Sequence, residues 1–167
     1  AAEVSAGRLD RVAALGLLDD MLAIREMEEM IVRLRSGGGY EPLPGYDYRG
    51  PTHVSIGQEA SAVGASSVLR ITDNVTSSHR GHGDAIAKGY SALRQMTDEQ
   101  LRARTAAAGD ATRDALLDAA LEEHLYKVIA ELFGKDEGYS RGRGGGMHIG
   151  DFSTGNLGAN AIVGGSV

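Results

Sequence analysis

Four of the five histidines, His53, His79, His82 and His148, fall inside glycine-rich stretches, and His124 alone stands in a helical pattern. Rigid scaffolds present chemistry on loops. Imidazole gives or takes a proton near neutral pH, so these four are candidates for proton transfer or ligand contact. For each of them a purely structural hydrogen-bonding role stands beside that reading. His124 reads as an ordinary surface or boundary residue. The run His79-Arg80-Gly81-His82 admits two chemistries. Two histidines at this spacing could bind zinc, but zinc needs a third protein ligand. Glu59 could serve, and nothing in its spacing demands it. Anion binding is the better reading. Arg80 ends a strand-like run, is followed by glycine and precedes a helix start. A guanidinium and free backbone N–H groups there make a cradle for phosphate oxygens. The run Gly142 to Gly146, with Arg141 and Arg143, is less specific. It is a flexible loop or, less readily, an RNA-binding segment.

These residues need elements to hold them. From Leu9 to Arg35 the pattern is helical. Leu15, Leu18 and Leu22 share a face, and Met27, Met30, Ile31 and Leu34 follow at three- and four-residue spacing. Arg25, Glu26, Glu28, Glu29 and Arg33 are expected on the other side. Gly37-Gly38-Gly39 ends the helix. Tyr40 to Thr52 is a loop containing Pro42, Pro44 and Pro51. After His53 comes a helix of Ala, Ser and Gly through Leu69, small enough to pack very closely on a neighbour. Asn74 to Ser78 is a short strand with β-branched Val75 and Thr76, and a helix follows over Asp84 to Lys88. Strand, polar glycine turn and helix form the layout of a parallel α/β unit, which binds ligands at strand carboxyl ends. Thr97 to Gln100 matches a capping box. A long amphipathic helix is expected over Thr112 to Phe133.

Composition narrows the function. The chain has 167 residues and 42% apolar side chains, enough for one core. Its 24 glycines cluster in short runs between good helices, which argues for backbone that turns tightly rather than for disorder. A net charge of −6 with no basic face argues against nucleic acid. The absence of cysteine excludes disulfides and thiolate sites and fits a reducing cytoplasm. No apolar run has membrane-spanning length.

Taken in order, the motifs resemble the α subunit of thiamine-diphosphate-dependent 2-oxo acid and acetoin dehydrogenases. They are Met21 to Glu29, His53 to Ala60 (His-x-x-x-Gly-Gln-Glu-Ala) and His79 to Gly83 with Ala87 to Gly89. Glu131 to Lys135, Gly142 to Ile149 and Gly158 to Gly164 complete the set. The wording Met-His-Ile-Gly-Asp is closer to the acetoin branch than to the pyruvate branch.

The resemblance implies an α/β fold: the N-terminal portion of a thiamine-diphosphate-binding domain, with helices flanking a parallel sheet. Residues 1–167 would form one incomplete domain, with an N-terminal helical segment over 1–36. It implies thiamine diphosphate and magnesium as cofactors, a β subunit as partner, and an acyl group passed to a lipoyl-bearing acyltransferase. By resemblance Arg80 contacts the diphosphate with His79 beside it. Ala161, Ile162 and Val163 bring backbone groups to the aminopyrimidine, with Ala161 where glycine is usual. His53 faces the substrate, and His148 is a looser catalytic candidate. None of these residues is a metal ligand. Two departures follow. Residues 90–130 intervene between motifs that normally stand close, a helical insertion of about thirty residues. The magnesium motif Gly-Asp-Gly…Asn is expected after Val167. The expectation is therefore a fragment, or a divided α subunit completed by a second chain, inactive alone. A non-catalytic binding or regulatory module derived from the family is the alternative.

Overall fold

A computed structural model describes residues 2–37, 39–46, 48, 53–105 and 110–159. After a single turn, α1 (Ala2–Ser5), the long helix α2 (Arg11–Arg35) begins at Asp10. The Asp10 carboxylate accepts from the N–H groups of Val12 and Ala13, which have no helical acceptor. Gly37, at φ +74°, turns the chain away at the other end. From Ile24 onward the predicted stripe is buried, and it is not purely apolar: Glu28 lies on it, 0% exposed. The expectation that Glu28 faces solvent is corrected by register, because Ile24, Glu28 and Ile31 share one helical face. Leu15, Leu18 and Leu22, expected to be buried, are about half exposed. The described residues leave that end of α2 uncovered.

Helix α3 (Glu59–Ser66) packs closely through Ala62, Val63 and Ser66, as its small residues predict. Strand β1 is Val75–Ser77. The following helix α4 (His82–Gln95) is longer than the expected Asp84 to Lys88. Next come α5 (Asp98–Arg104), α6 (Arg113–Leu132) and β2 (Asn156–Ala159), with two short 3-10 turns, Gly145–Met147 and Phe152–Thr154, between α6 and β2. The Thr97/Gln100 capping box forms, and Thr112 caps α6. Among the described residues the sheet is β1 and β2, paired in parallel with an irregular register. The α/β layout holds here as a small parallel sheet in a helix-rich body. No helix is long and apolar enough to cross a membrane among the described residues.

Two cores result. The larger joins α2, α3, α4 and the C-terminal half of α6 through residues such as Ile24, Ile31, Val63, Ile86 and Val128. The smaller holds Leu93, Met96, Leu101, Leu116 and Ala120. The ends of the 90–130 segment, Tyr90 and Ala130, lie inside continuous helices and are buried. The segment is thus a helical hairpin rooted in the main core, with a second core of its own.

His124 is not a surface residue. It is 1% exposed on α6. Its Nε2 lies 3.1 Å from the Ala85 carbonyl and its Nδ1 2.6 Å from the Tyr139 hydroxyl. A Cβ at residue 89 would stand 2.0 Å from Nε2, so Gly89 leaves the slot the ring enters.

Candidate functional site

The strand β1 delivers Ser78, His79 and Arg80 into a turn that closes at Gly81. A Cβ on Gly81 would fall 1.9 Å from Ser77 Oγ, so only glycine fits. Helix α4 starts at once, and its first N–H groups have no helical acceptor. The first turn also carries Asp84, whose carboxyl burial pushes up, partly offset by His82.

The loop bearing His53 is fastened at three points, to this turn, to α2 and to the start of α3. Arg80 donates to the Val54 carbonyl at 2.5 Å. Ser55 donates through its N–H (3.1 Å) and its hydroxyl (2.6 Å) to the Glu28 carboxylate. Gly57 N–H donates to Glu59. The His53 and His79 rings consequently meet edge to face at 5.2 Å. Glu59 is held down to about 2 by Arg25, whose guanidinium donates to it at 2.7 Å, against the opposing effect of burial.

Across from them runs the glycine loop after α6. Its template is Glu131, 0% exposed. One carboxylate oxygen accepts from Gly144 and Gly145 N–H, the other from Ser140 and Gly142 N–H, at 2.7–3.1 Å. A buried carboxylate is tolerated when such donors replace its water. Between the two loops lies a cleft of about 380 Å³ lined by His53, His79, His82, Phe133, Arg143 and Gly146, among others.

His82 stands at the cleft with 1% exposure. Its Nδ1 is 3.1 Å from Glu28 Oε1. Its Nε2 finds no hydrogen-bond partner among the described residues.

The predicted residues therefore divide. His53 and His79 come together, and Arg80 lies beside them with part of its guanidinium committed to Val54. His148 stands apart: it is exposed, with its carbonyl accepting from Ser140 Oγ and its Cβ close over Gly144. Ala161, Ile162 and Val163 lie outside the described residues. No cluster of three or more ligating side chains suits a metal among the described residues. The zinc reading lacks its third ligand: Glu59 is tied to Arg25, and one nitrogen of His82 to Glu28. Glu28 and Glu131 were missed as site residues. The available signal was a carboxylate on an apolar stripe, at Glu28.

A second network lies under the hairpin. Asp151 accepts from Arg104 at 2.9 Å and from the Ser153 hydroxyl at 2.5 Å, and lies 3.6 Å from His124. Burial acts to raise the Asp151 carboxyl, and these hydrogen bonds overcome it and hold it well below the carboxylate range. Burial, with Asp151 nearby, pushes the Tyr139 hydroxyl far up.

The family model "Dehydrogenase E1 component" matches residues 46–167. The chain is 37% identical over 152 residues to the α subunit of acetoin:2,6-dichlorophenolindophenol oxidoreductase of Bacillus subtilis, covering 91% of this chain and 33% of that protein. It is 32% identical to the corresponding subunit of Cupriavidus necator, covering 93% and 34%. It is also 32% identical to the mitochondrial pyruvate dehydrogenase E1 component subunit α of Chaetomium thermophilum, covering 89% and 26%. The chain thus spans about a third or less of the length of these relatives.

Proposed function

Because the chain belongs to the dehydrogenase E1 component family, we propose that it forms the N-terminal part of an α subunit that cleaves a 2-oxo acid or acetoin with thiamine diphosphate and hands the product unit to a lipoyl group. A β subunit completes the site, and a further α segment supplies the magnesium ligands. The observation that carries this reading is the meeting of His53 and His79 at the mouth of a cleft. That cleft follows the carboxyl end of a parallel strand and the start of α4.

The local chemistry suits the group. Arg80 and the opening N–H groups of α4 favour phosphate oxygens. His79 stands beside them as a further donor. The backbone of Ala161 to Val163 is assigned to the aminopyrimidine. Thiamine diphosphate supplies the carbanion chemistry when bound. What the chain adds is position and proton handling. His53 is exposed on a fastened loop, and an imidazole there can hydrogen-bond a substrate carbonyl. His148 is a secondary candidate. A cytoplasmic location belongs to the same proposal.

Titration of thiamine diphosphate with magnesium into the chain assembled with a β-type partner and the remaining α segment tests it. Saturable binding is expected, weakened at least tenfold in Arg80→Met and unchanged in His53→Asn, which instead loses turnover. An assembly that forms and binds nothing supports the non-catalytic module.

A further inference from the structure

His82 is more deeply placed than either His53 or His79, and the proposed function gives it no task. One of its nitrogens is committed: Nδ1 faces Glu28 Oε1 at 3.1 Å, and a carboxylate accepts, so Nδ1 carries the proton. Glu28 is itself immobile, gripped by both donors of Ser55 and 0% exposed. That leaves Nε2 as the free lone pair, at the cleft, with no partner among the described residues. A buried polar atom left in this state costs about 1–3 kcal/mol. An apolar side chain in the same space would avoid that cost.

What covers Nε2 is also informative. A Cβ on Gly146 would lie 2.6 Å from it. The covering turn reads Gly144-Gly145-Gly146. Glu131 holds it through the N–H groups of Gly144 and Gly145. A turn without side chains can shift at little steric cost. A buried carboxylate fixing Nδ1–H so that Nε2 exchanges a proton is the arrangement of a general base.

We propose that His82, held by Glu28, is a proton-holding residue of this cleft whose Nε2 meets a hydroxyl-bearing ligand when the Gly145–Met147 turn shifts. The inference rests on the reading of the cleft as a ligand site. In the step, the Nε2 lone pair takes the proton of the ligand hydroxyl. The oxygen keeps the bonding electron pair. The imidazolium that forms lies against the Glu28 carboxylate, and the reverse step returns the proton. No other reactant is required. Among the described residues, the charged or titratable groups facing His82 are Glu28 on α2, Asp84 on its own helix, and Tyr48, His53, His79, Glu131 and Arg143 around the cleft. The Glu28 carboxylate touches the ring and stabilises its charged form.

The test has two arms. In the full chain labelled with 15N-histidine, the His82 nitrogens are followed by NMR from about pH 5 to about pH 9, the range in which imidazole titrates. Nδ1 is expected to stay protonated throughout while Nε2 titrates. In Glu28→Leu the Nδ1–H loses its acceptor, and the nitrogen shifts should show both neutral tautomers. Gly146→Ala should move the Nε2 resonance and leave Nδ1–H in place. A neutral ring with its proton on Nε2, or a tautomer unchanged in Glu28→Leu, overturns the proposal. In the second arm, the pH profile of acetoin cleavage is measured on the assembly with the β-type partner and the remaining α segment. One limb should disappear in His82→Gln, and turnover should fall in Glu28→Leu, which no longer holds the ring in one tautomer. A uniform fall at every pH means that His82 only holds structure, and overturns the proposal. If the wild-type assembly binds no thiamine diphosphate, the functional reading falls and takes this one with it. Binding with an unchanged profile removes the His82 proposal alone.

Discussion

Replacing Glu131 by glutamine is the sharpest test of how the cleft is built, because the change is nearly isosteric and alters only the charge and the hydrogen-bond polarity. Each carboxylate oxygen accepts two backbone N–H groups, from Gly144 and Gly145 on one side and from Ser140 and Gly142 on the other. In Glu131→Gln one oxygen becomes an NH2, which faces two donors and can accept from neither. Two charge-assisted bonds are lost, each contributing about 1.5–3 kcal/mol. The loop is half-buried, so water recovers part of this, and a cost of about 3 kcal/mol is expected. For a chain of this size that lowers Tm by roughly 6–12 °C, out of a total stability of about 5–15 kcal/mol. Urea and thermal unfolding would measure it, with Glu122→Gln on the exposed side of α6 as control. Amide hydrogen exchange should show the loss concentrated at Ser140, Gly142, Gly144 and Gly145. A change below about 1 kcal/mol, equal to the control and without altered exchange, would refute the template role.

Gly89→Ala should be strongly destabilising, because its methyl would overlap the His124 ring; His124→Ala in the same chain should recover much of that loss in thermal unfolding. Leu116→Ala, at the fully buried centre of the second core, should cost about 2–5 kcal/mol, and hydrogen exchange should rise in α5 and α6 before it rises in α2. The Glu59 carboxyl is lowered from its ordinary 4.5 to about 2 by Arg25, so its contribution is complete above 4.5 and is lost as pH falls toward 2. Acid unfolding of Glu59→Gln should be flatter across that window than the wild type, and added salt should narrow the difference because Arg25 is solvent-exposed.

The elements were legible in the sequence where local chemistry decides them. The Thr97–Gln100 capping box forms as expected and the helix expected from Thr112 is capped by its hydroxyl, whereas the cap of α2, Asp10, was not singled out. The glycine runs marked the loops, and Gly81 and Gly146 sit where a Cβ would collide. The resemblance sets His79 beside the diphosphate and His53 on the substrate side, and in the structure their rings stand edge to face at 5.2 Å. What was not legible depends on long-range pairing. Glu28, Glu131 and His124 look like members of exposed polar faces. Their partners, Ser55 and His82, the glycine-loop amides, and Ala85 with Tyr139, are distant in sequence or carry no side-chain signal. A backbone N–H donor in particular leaves no trace in residue types. Half-exposed Leu15, Leu18 and Leu22 have the opposite cause: periodicity announces an apolar face without saying what covers it.

The two buried carboxylates raise a last question, whether the cleft is one unit or two loops that happen to face each other. Glu28 fastens the His53 loop and the His82 ring. Glu131 fastens the glycine loop, and that loop passes so near His82 that a Cβ on Gly146 would lie 2.6 Å from Nε2. The chain of contact Glu28–His82–Gly146–Glu131 is continuous, so displacing either end should alter what the other stabilises. A double-mutant cycle of Glu28→Gln and Glu131→Gln, read by urea unfolding, should show coupling of about 0.5–3 kcal/mol. Costs that add to within about 0.5 kcal/mol would mean that the loops are held independently. The close contact at Gly146 would then be packing with no energetic link across the cleft.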